Sequence, residues 1–151
     1  MDFSFNENEQ SFYEELNDFL HKELPEDWYT KPVRWPHDYA GSPYRDPKEK
    51  ETAEIFQKKL ADRGWLTISW PKEYGGQEGE GVYEYILNEA LAARGGPQIG
   101  KGVGIIGKTL IAHGSEFLKE EFLPKILANE VEFAVGYSEP EAGSDAAAMK
   151  L

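Results

Sequence analysis

The chain contains no cysteine, which excludes disulfides, thiolate nucleophiles and cysteine-ligated metal sites. Basic residues are also scarce: 16 lysines and arginines stand against 28 aspartates and glutamates, for a net charge of −12. This balance disfavours a nucleic-acid surface, which needs clustered basic charge, and it disfavours docking on an anionic membrane. Residues 1–30 hold nine of the acids and a single lysine, so any partner must tolerate an acidic amino-terminal face or bind elsewhere.

Long hydrophobic runs are absent as well. No apolar stretch approaches the roughly 18–20 residues that a membrane span needs, and the start, Met1-Asp2-Phe3-Ser4, lacks the basic and apolar regions of a secretory signal. The histidines (His21, His37 and His113) are widely separated, without the paired spacing of a metal site. Hydrophobic residues at 40% and aromatics at 13% indicate one packed core. We expect a metal-free cytoplasmic protein with no membrane span and no nucleic-acid partner.

Two helices are predicted in the first part of the chain. Asn6 and Glu9 have the spacing of a capping box at the start of the first helix, and Pro25 stops that helix. Asp46-Pro47 places a capping residue before a proline at the first helical position of the second. Gly64 suits the left-handed conformation in which many helices end.

Three further helical segments follow. Residues 82–91 form one wide apolar stripe, which is typical of a helix packed on a core. A fourth apolar segment runs from about 102 to 113 and should end at Gly114. Ser115 would cap the fifth helix, and Pro124 either interrupts this helix or starts another turn.

The hydrophobic period changes after the fifth helix. Residues 131–138 are predicted to form a strand, because they are rich in β-branched and aromatic side chains. A turn-rich stretch, residues 139–145, follows the strand. The sequence therefore predicts a mainly α fold, with a helical domain over residues 1–130 and the incomplete start of a β domain over residues 131–151.

One glycine motif argues against the function that it first suggests. Residues 102–107, Gly-Val-Gly-Ile-Ile-Gly, fit the G-x-G-x-x-G pattern of dinucleotide-binding folds. That motif should follow a buried strand and open a helix, whereas here it lies inside an apolar helical segment. We interpret the glycines as notches in a helix, which serve either close packing or a cavity.

A second motif, residues 138–145, follows directly on the predicted strand. It combines two hydroxyl groups with flexible backbone, and exposed amides in such a loop can bind a phosphate or the polar edge of a cofactor. An ordinary surface turn, with Ser138 and Glu141 as a capping box, explains the same residues equally simply. The residues alone leave both interpretations open.

The stretch from Gly136 to Asp145 closely resembles the signature of acyl-CoA dehydrogenases, with Glu141 where that family usually has glycine. Further segments resemble the family in the same order along the chain: Leu60–Leu66, Trp70–Gly76, Leu110–Glu116 and Leu123–Ile126. The resemblance covers the whole chain but well under half of the family's usual length. It implies an amino-terminal helical bundle of about five helices, then the first strand of a truncated β domain, with the carboxy-terminal helical domain absent.

The resemblance also implies a reaction. Acyl-CoA dehydrogenases use FAD to convert an acyl-CoA thioester to the trans-2-enoyl-CoA, they pass electrons to an electron-transfer flavoprotein, and they form homo- or hetero-oligomers. Their catalytic base is a carboxylate of the carboxy-terminal domain, and no residue of this chain can be matched to it. The fragment alone is therefore expected to be inactive. Open alternatives are an acyl-CoA oxidase, a nitroalkane oxidase and a non-catalytic, partner-binding subunit of the same fold.

Site residues can be carried over position by position. The resemblance implies that the flavin is bound by Val135, Gly136, Tyr137, Ser138, Gly143 and Ser144. It implies that the substrate is bound by Gln98, Lys101, Ile105 and Ser144. Ser138 takes the position of a hydroxyl that bonds the reactive flavin nitrogen. The helix from Gln98 onward would close the far end of the acyl pocket. Its glycines would either leave that pocket large or serve close packing between helices.

Overall fold

The computed structural model describes residues 4–26, 47–97, 99–131, 133–134 and 136–150. Within these residues five α-helices follow one another in the chain: α1 (Glu7–Glu23), α2 (Pro47–Asp62), α3 (Gly81–Ala93), α4 (Lys108–His113) and α5 (Glu116–Leu127). The predicted mainly α fold is confirmed. Of the helices in these ranges, none is long and apolar enough to cross a membrane.

The helix ends have the chemistry that the sequence predicted. The Asn6 side chain accepts hydrogen bonds of 3.0 Å from the backbone amides of Asn8 and Glu9, and the Glu9 carboxylate accepts one of 2.8 Å from the Asn6 amide. Gly64, beyond the end of α2, has a φ of 70°, which glycine adopts without steric cost. The Ser115 hydroxyl caps α5 by accepting from the Leu118 amide at 3.4 Å. Asp46 lies outside the described residues.

An aromatic cluster ties α1 and α2 to the turn that follows α2. The rings of Phe19 and Trp65 meet edge to face at 5.2 Å, and Phe19 also contacts Phe56 of α2 at 5.6 Å. The Arg63 guanidinium lies 4.6 Å from the centroid of the Phe19 ring and 4.7 Å from that of Trp65. Such pairs add to the energy of burial, so this corner of the core is well fixed.

The fourth predicted helix is regular only in its second half. Its first half, Gly102–Gly107, is a π-helix that continues directly into α4. Trp70, which is only 1% exposed, packs against this π segment. A Cβ atom added at Gly107 would lie 2.0 Å from the Trp70 ring, and one at Gly102 would lie 3.1 Å from the ring of Phe133. These two glycines therefore allow close packing.

Pro124 does not interrupt α5. Proline has no amide hydrogen and so removes one hydrogen bond from a helix, yet α5 continues to Leu127. The amide of Ala128 still donates to the Pro124 carbonyl at 3.0 Å, which closes the last turn. Of the two predicted outcomes, the additional turn is the one observed.

The predicted strand at 131–138 is not formed in the described part of that segment, residues 131, 133–134 and 136–138. The nearest pairing is an isolated antiparallel bridge between Glu139 and Ala142, with hydrogen bonds of 2.8 and 3.1 Å. A strand is stabilised by hydrogen bonds to a neighbouring strand, and the described residues supply no such neighbour. The strand propensity of these residues is therefore not sufficient for a β-strand without a neighbouring strand to bond with.

Candidate functional site

An open cleft of about 430 Å³ separates the start of the π segment from the carboxy-terminal segment. Its walls are formed by Lys101, Ile105, Gly136, Tyr137 and Ser138. Ligand pockets in proteins typically enclose about 300–1,000 Å³. The cleft thus brings together two groups of residues that the sequence analysis assigned separately, one to the substrate and one to the cofactor.

The carboxy-terminal wall of the cleft offers several free hydrogen-bonding groups. The amides of Gly136, Tyr137 and Ser138 donate to no other described residue, and the Ser138 hydroxyl has no partner among them. Tyr137 is 70% exposed, and a Cβ atom added at Gly136 would meet nothing within 4 Å. Successive unpaired amides beside a hydroxyl can bind the polar edge of a ligand, so this wall suits a polar group.

The turn after Ser138 is held in place by its own contacts. Ala142 is buried at 3% exposure, and its bridge to Glu139 closes the turn. The Glu139 carboxylate accepts from the backbone amide of Lys150 at 3.1 Å. A Cβ atom added at Gly143 would lie 3.9 Å from the Ser138 hydroxyl oxygen. Glu139 therefore contributes to the shape of the turn and does not line the cleft.

The remaining candidate residues divide into two groups. Gly143 lies next to Ser138, whereas Ser144 is exposed and is not part of the cleft wall. Gln98 and Val135 lie outside the described residues. Among the residues that the structure describes, no group of histidine and carboxylate side chains could hold a metal ion.

A smaller cavity of about 110 Å³ was not predicted from the sequence. It lies between α3 and the π segment and is lined by Trp65, Leu66, Glu84, Leu87, Asn88, Ile99, Gly100, Val103, Gly104 and Lys108. The Lys108 ammonium donates to Glu84 at 2.8 Å, and the Ser69 hydroxyl also donates to Glu84. No local pattern signals this ion pair, because 24 residues separate its two members.

The three motif glycines thus differ in their surroundings. Gly102 and Gly107 contact aromatic rings, whereas a Cβ atom added at Gly104 would meet nothing within 4 Å. Gly104 borders the smaller cavity and not the open cleft. The packing interpretation therefore holds for Gly102 and Gly107, and the cavity interpretation holds for Gly104. None of the three glycines lines the open cleft.

Two ionisable groups among the described residues, Glu23 and Lys119, have shifted pKa values, and neither lines the cleft. A hydrogen bond from the Lys59 ammonium lowers the pKa of the Glu23 carboxyl below its usual 4.5. Hydrogen bonds with the Glu116 carboxylate and then with the Tyr74 hydroxyl raise the pKa of Lys119 above its usual 10.5. These contacts connect helices and turns of the bundle, so both shifts belong to the scaffold.

Comparison with known proteins gives a consistent result. Residues 6–130 match the family model described as acyl-CoA dehydrogenase, N-terminal domain. The chain is 39% identical over 105 residues to acyl-CoA dehydrogenase FadE26 of Mycobacterium tuberculosis, an alignment that covers 68% of this chain and 26% of that protein. The chain spans about a quarter of the length of the curated relatives that it matches.

Solved structures show the same likeness. The chain matches a protein in the ChsE4-ChsE5 complex of Mycobacterium tuberculosis with a TM-score of 0.78 and 25% identity, over 99% of this chain and 35% of that one. It matches the Tcur3481-Tcur3483 steroid ACAD with a TM-score of 0.77 and 30% identity, over 99% of this chain and 36% of that one. The family match covers most of the five-helix bundle, and the chain therefore belongs to the acyl-CoA dehydrogenase family, of which residues 6–130 form the amino-terminal domain.

Proposed function

We propose that this chain is the amino-terminal part of an FAD-dependent acyl-CoA dehydrogenase that converts an acyl-CoA thioester to the trans-2-enoyl-CoA. One observation carries the proposal: Lys101 and Ile105, on the acyl side, share a single cleft with Gly136, Tyr137 and Ser138, on the flavin side. The two groups were assigned from sequence positions far apart in the chain. Their meeting in one cleft of about 430 Å³ supports a common substrate and cofactor site.

The residues on the flavin side fit an isoalloxazine ring. Three unpaired amides and the free Ser138 hydroxyl offer donors to its polar edge, and the exposed Tyr137 ring offers an apolar surface beside them. FAD, when bound, accepts the hydride that leaves the carbon β to the thioester carbonyl. We assign cofactor binding to Gly136, Tyr137, Ser138, Gly143 and Ser144, and to Val135.

Within the cleft each side chain has a distinct task. The Ser138 hydroxyl, which has no partner among the described residues, would donate to the flavin atom on which negative charge develops. Tyr137 and Ile105 line the cleft and would offer it apolar surface, Ile105 to the acyl chain. The assignment of Gln98 and Ser144 to the substrate rests on the family resemblance, because Gln98 lies outside the described residues and Ser144 outside the cleft wall. The described cleft wall contains no carboxylate, so we place the catalytic base elsewhere in the whole enzyme.

The test uses the whole protein that contains this chain, purified with its flavin. A single hydrogen bond contributes about 0.5–1.5 kcal/mol, so Ser138→Ala should slow flavin reduction by acyl-CoA roughly 2- to 15-fold. Ser138→Thr keeps the hydroxyl and should cost much less, and Ser11→Ala, on the exposed surface of α1, is the matched control. Equal rates for all four proteins in rapid mixing would remove Ser138 from the mechanism.

The electron acceptor is tested separately. Transfer of electrons from the reduced enzyme to an electron-transfer flavoprotein supports a dehydrogenase, whereas rapid reoxidation by oxygen supports an oxidase.

A second candidate is a subunit of a two-component complex, homologous to the enzymes but without an active site of its own. It is favoured by two matching structures, each named for a pair of proteins, ChsE4-ChsE5 and Tcur3481-Tcur3483. Expression of the whole protein alone and with a second homologous chain distinguishes the candidates. Stoichiometric flavin in the protein expressed alone supports the first candidate, and flavin that appears only in the pair supports the second.

A further inference from the structure

Lys101 differs from most lysines of this acidic chain. Nine described lysines have a carboxylate within 4.0 Å: Lys22, Lys50, Lys58, Lys59, Lys72, Lys108, Lys119, Lys125 and Lys150. In the described ranges, Lys101 has neither an ion pair nor a hydrogen bond from its ammonium group. With 28 acids in the chain, a cation without a carboxylate partner is the exception.

The surroundings of Lys101 explain what its charge can do. It lines the open cleft together with Ile105 and Tyr137, which are 36% and 70% exposed. No carboxylate is present on the described wall of that cleft. A charge beside apolar side chains acts in a lower effective dielectric than one in bulk water once a ligand displaces the solvent, so its interaction with an anion is strengthened.

Lys108 shows the opposite arrangement on the same continuous helix, which consists of the π segment and α4. It borders the smaller cavity, where its ammonium is 2.8 Å from the Glu84 carboxylate. Among the described residues, the lysine of the small cavity therefore pairs with a carboxylate and the lysine of the open cleft does not. A ligand that fits the open cleft must combine an apolar body with a negative group at one end.

We propose that Lys101 binds a carboxylate at the distal end of the acyl group, so that the substrate is the mono-CoA thioester of a dicarboxylic acid. This inference rests on the proposed function, in which Ser138 lies on the flavin side of the cleft and the helix that carries Lys101 closes the acyl end. The acyl chain would contact Ile105 and Tyr137, and its terminal carboxylate would pair with the Lys101 ammonium. Lys101 is thus a specificity-determining residue and takes no part in the chemistry.

The experiment compares two thioesters of equal chain length on the whole, flavin-loaded protein. Adipyl-CoA carries a distal carboxylate and hexanoyl-CoA does not. Lys101→Gln should raise KM for adipyl-CoA about 5- to 10-fold, since a partly exposed charged contact is weaker than a buried one. The same variant should change KM for hexanoyl-CoA less than about 2-fold and leave kcat for both nearly unchanged, because the contact is equal in the ground and transition states.

A binding measurement separates recognition from turnover. The unreactive thioether analogues of the two substrates, titrated by calorimetry, should show the same 5- to 10-fold loss of affinity for the carboxylate-bearing ligand alone. Lys101→Arg keeps the charge and should restore most of the affinity. Lys48→Gln is the matched control, because Lys48 also lacks an ion pair among the described residues but lies in α2, outside the cleft.

Two results would overturn the proposal. The first is an equal loss of affinity for adipyl-CoA and hexanoyl-CoA in Lys101→Gln, or no change in either affinity. Lys101 then does not bind a distal carboxylate, and the proposed function stands without it. If neither thioester nor its analogue binds the parent protein, the proposed function fails and the assignment of Lys101 fails with it.

Discussion

The helical bundle and the carboxy-terminal segment, residues 136–150, are built on opposite principles. In the bundle, side chains such as Leu16, Leu20, Phe56 and Leu60 are at most 1% exposed. In the carboxy-terminal segment only Ala142 is buried, and one isolated bridge provides the pairing. The bundle excludes water from its core, where the Thr67 hydroxyl and the Trp70 indole nitrogen are buried without a hydrogen-bond partner among the described residues. The segment instead leaves amides and a hydroxyl unpaired at its surface. The buried apolar packing that stabilises the fold therefore lies in the first region, whereas the second region carries exposed, unpaired polar groups.

Truncation of one aromatic side chain in each region is the most direct test of this comparison. Phe56→Ala removes a fully buried ring and should lower the free energy of unfolding by about 3–5 kcal/mol. Tyr137→Ala removes a ring that is 70% exposed and should change it by less than about 0.5 kcal/mol. Urea denaturation followed by circular dichroism measures both. A loss of more than about 1 kcal/mol in Tyr137→Ala would show that the segment is part of the folded core.

A glycine pair sharpens the comparison within the π segment. A Cβ atom at Gly107 would lie 2.0 Å from the buried Trp70 ring, so Gly107→Ala should destabilise the chain by about 1–3 kcal/mol through overpacking. Gly104→Ala adds the same methyl group where nothing lies within 4 Å, and it should be neutral or stabilising by up to about 1 kcal/mol. Thermal unfolding of the two variants measures the difference, and equal effects would show that Trp70 does not lock the π segment.

The smallest expected effect is the pH dependence of one ion pair in the bundle. Because the hydrogen bond from Lys59 lowers the pKa of Glu23, the pair stabilises the fold above pH 4.5 and loses this effect as the pH falls through the lowered value. Glu23→Gln should remove up to about 1 kcal/mol of stability at neutral pH and flatten the acid limb of the stability profile. Unfolding measured from pH 7 to pH 3 tests this.

A control accompanies the pH experiment. Lys22 is 80% exposed and lies 3.9 Å from Glu23, and the hydrogen bond from Lys59 lowers the pKa of Glu23 more than the charge of Lys22 does, so Lys22→Met should change the acid limb much less than Lys59→Met. Lys59→Met should reproduce the effect of Glu23→Gln. A Lys22→Met profile that matches that of Lys59→Met would assign the shift to general charge around Glu23 rather than to the hydrogen bond.

Local chemistry made the helix ends predictable, since a cap depends on residues within one turn. Asn6, Gly64 and Ser115 were identified in this way. The π segment was not predictable, because it is associated with the approach of Trp70 to Gly107, two residues separated by more than thirty positions. No strand forms in the described part of residues 131–138 for a related reason: strand propensity is a local property, but a strand is stabilised by hydrogen bonds to a neighbouring strand.

The candidate site depended on the family resemblance, since the residues of the motif at 138–145 alone left an ordinary surface turn open. The resemblance assigned Gly136, Tyr137 and Ser138 to the flavin and Lys101 and Ile105 to the substrate. Nothing in either stretch indicated that Lys101 and Tyr137 line the same cleft, because that depends on how the helix packs against the carboxy-terminal segment. The ion pair of Lys108 with Glu84 was missed for the same reason.

The π segment also changes the directions in which side chains point along the continuous helix that it forms with α4. In an α-helix with 3.6 residues per turn, positions seven apart lie on nearly the same face. Lys101 and Lys108 are seven apart, yet one lines the open cleft and the other the small cavity. In a π-helix the hydrogen bonds join residues i and i+5, so each turn contains more residues than an α-helical turn. Lys108 therefore does not lie on the same face of the helix as Lys101. One continuous helix thereby carries Lys108, which pairs with Glu84, and Lys101, which lines the open cleft and has no carboxylate partner among the described residues.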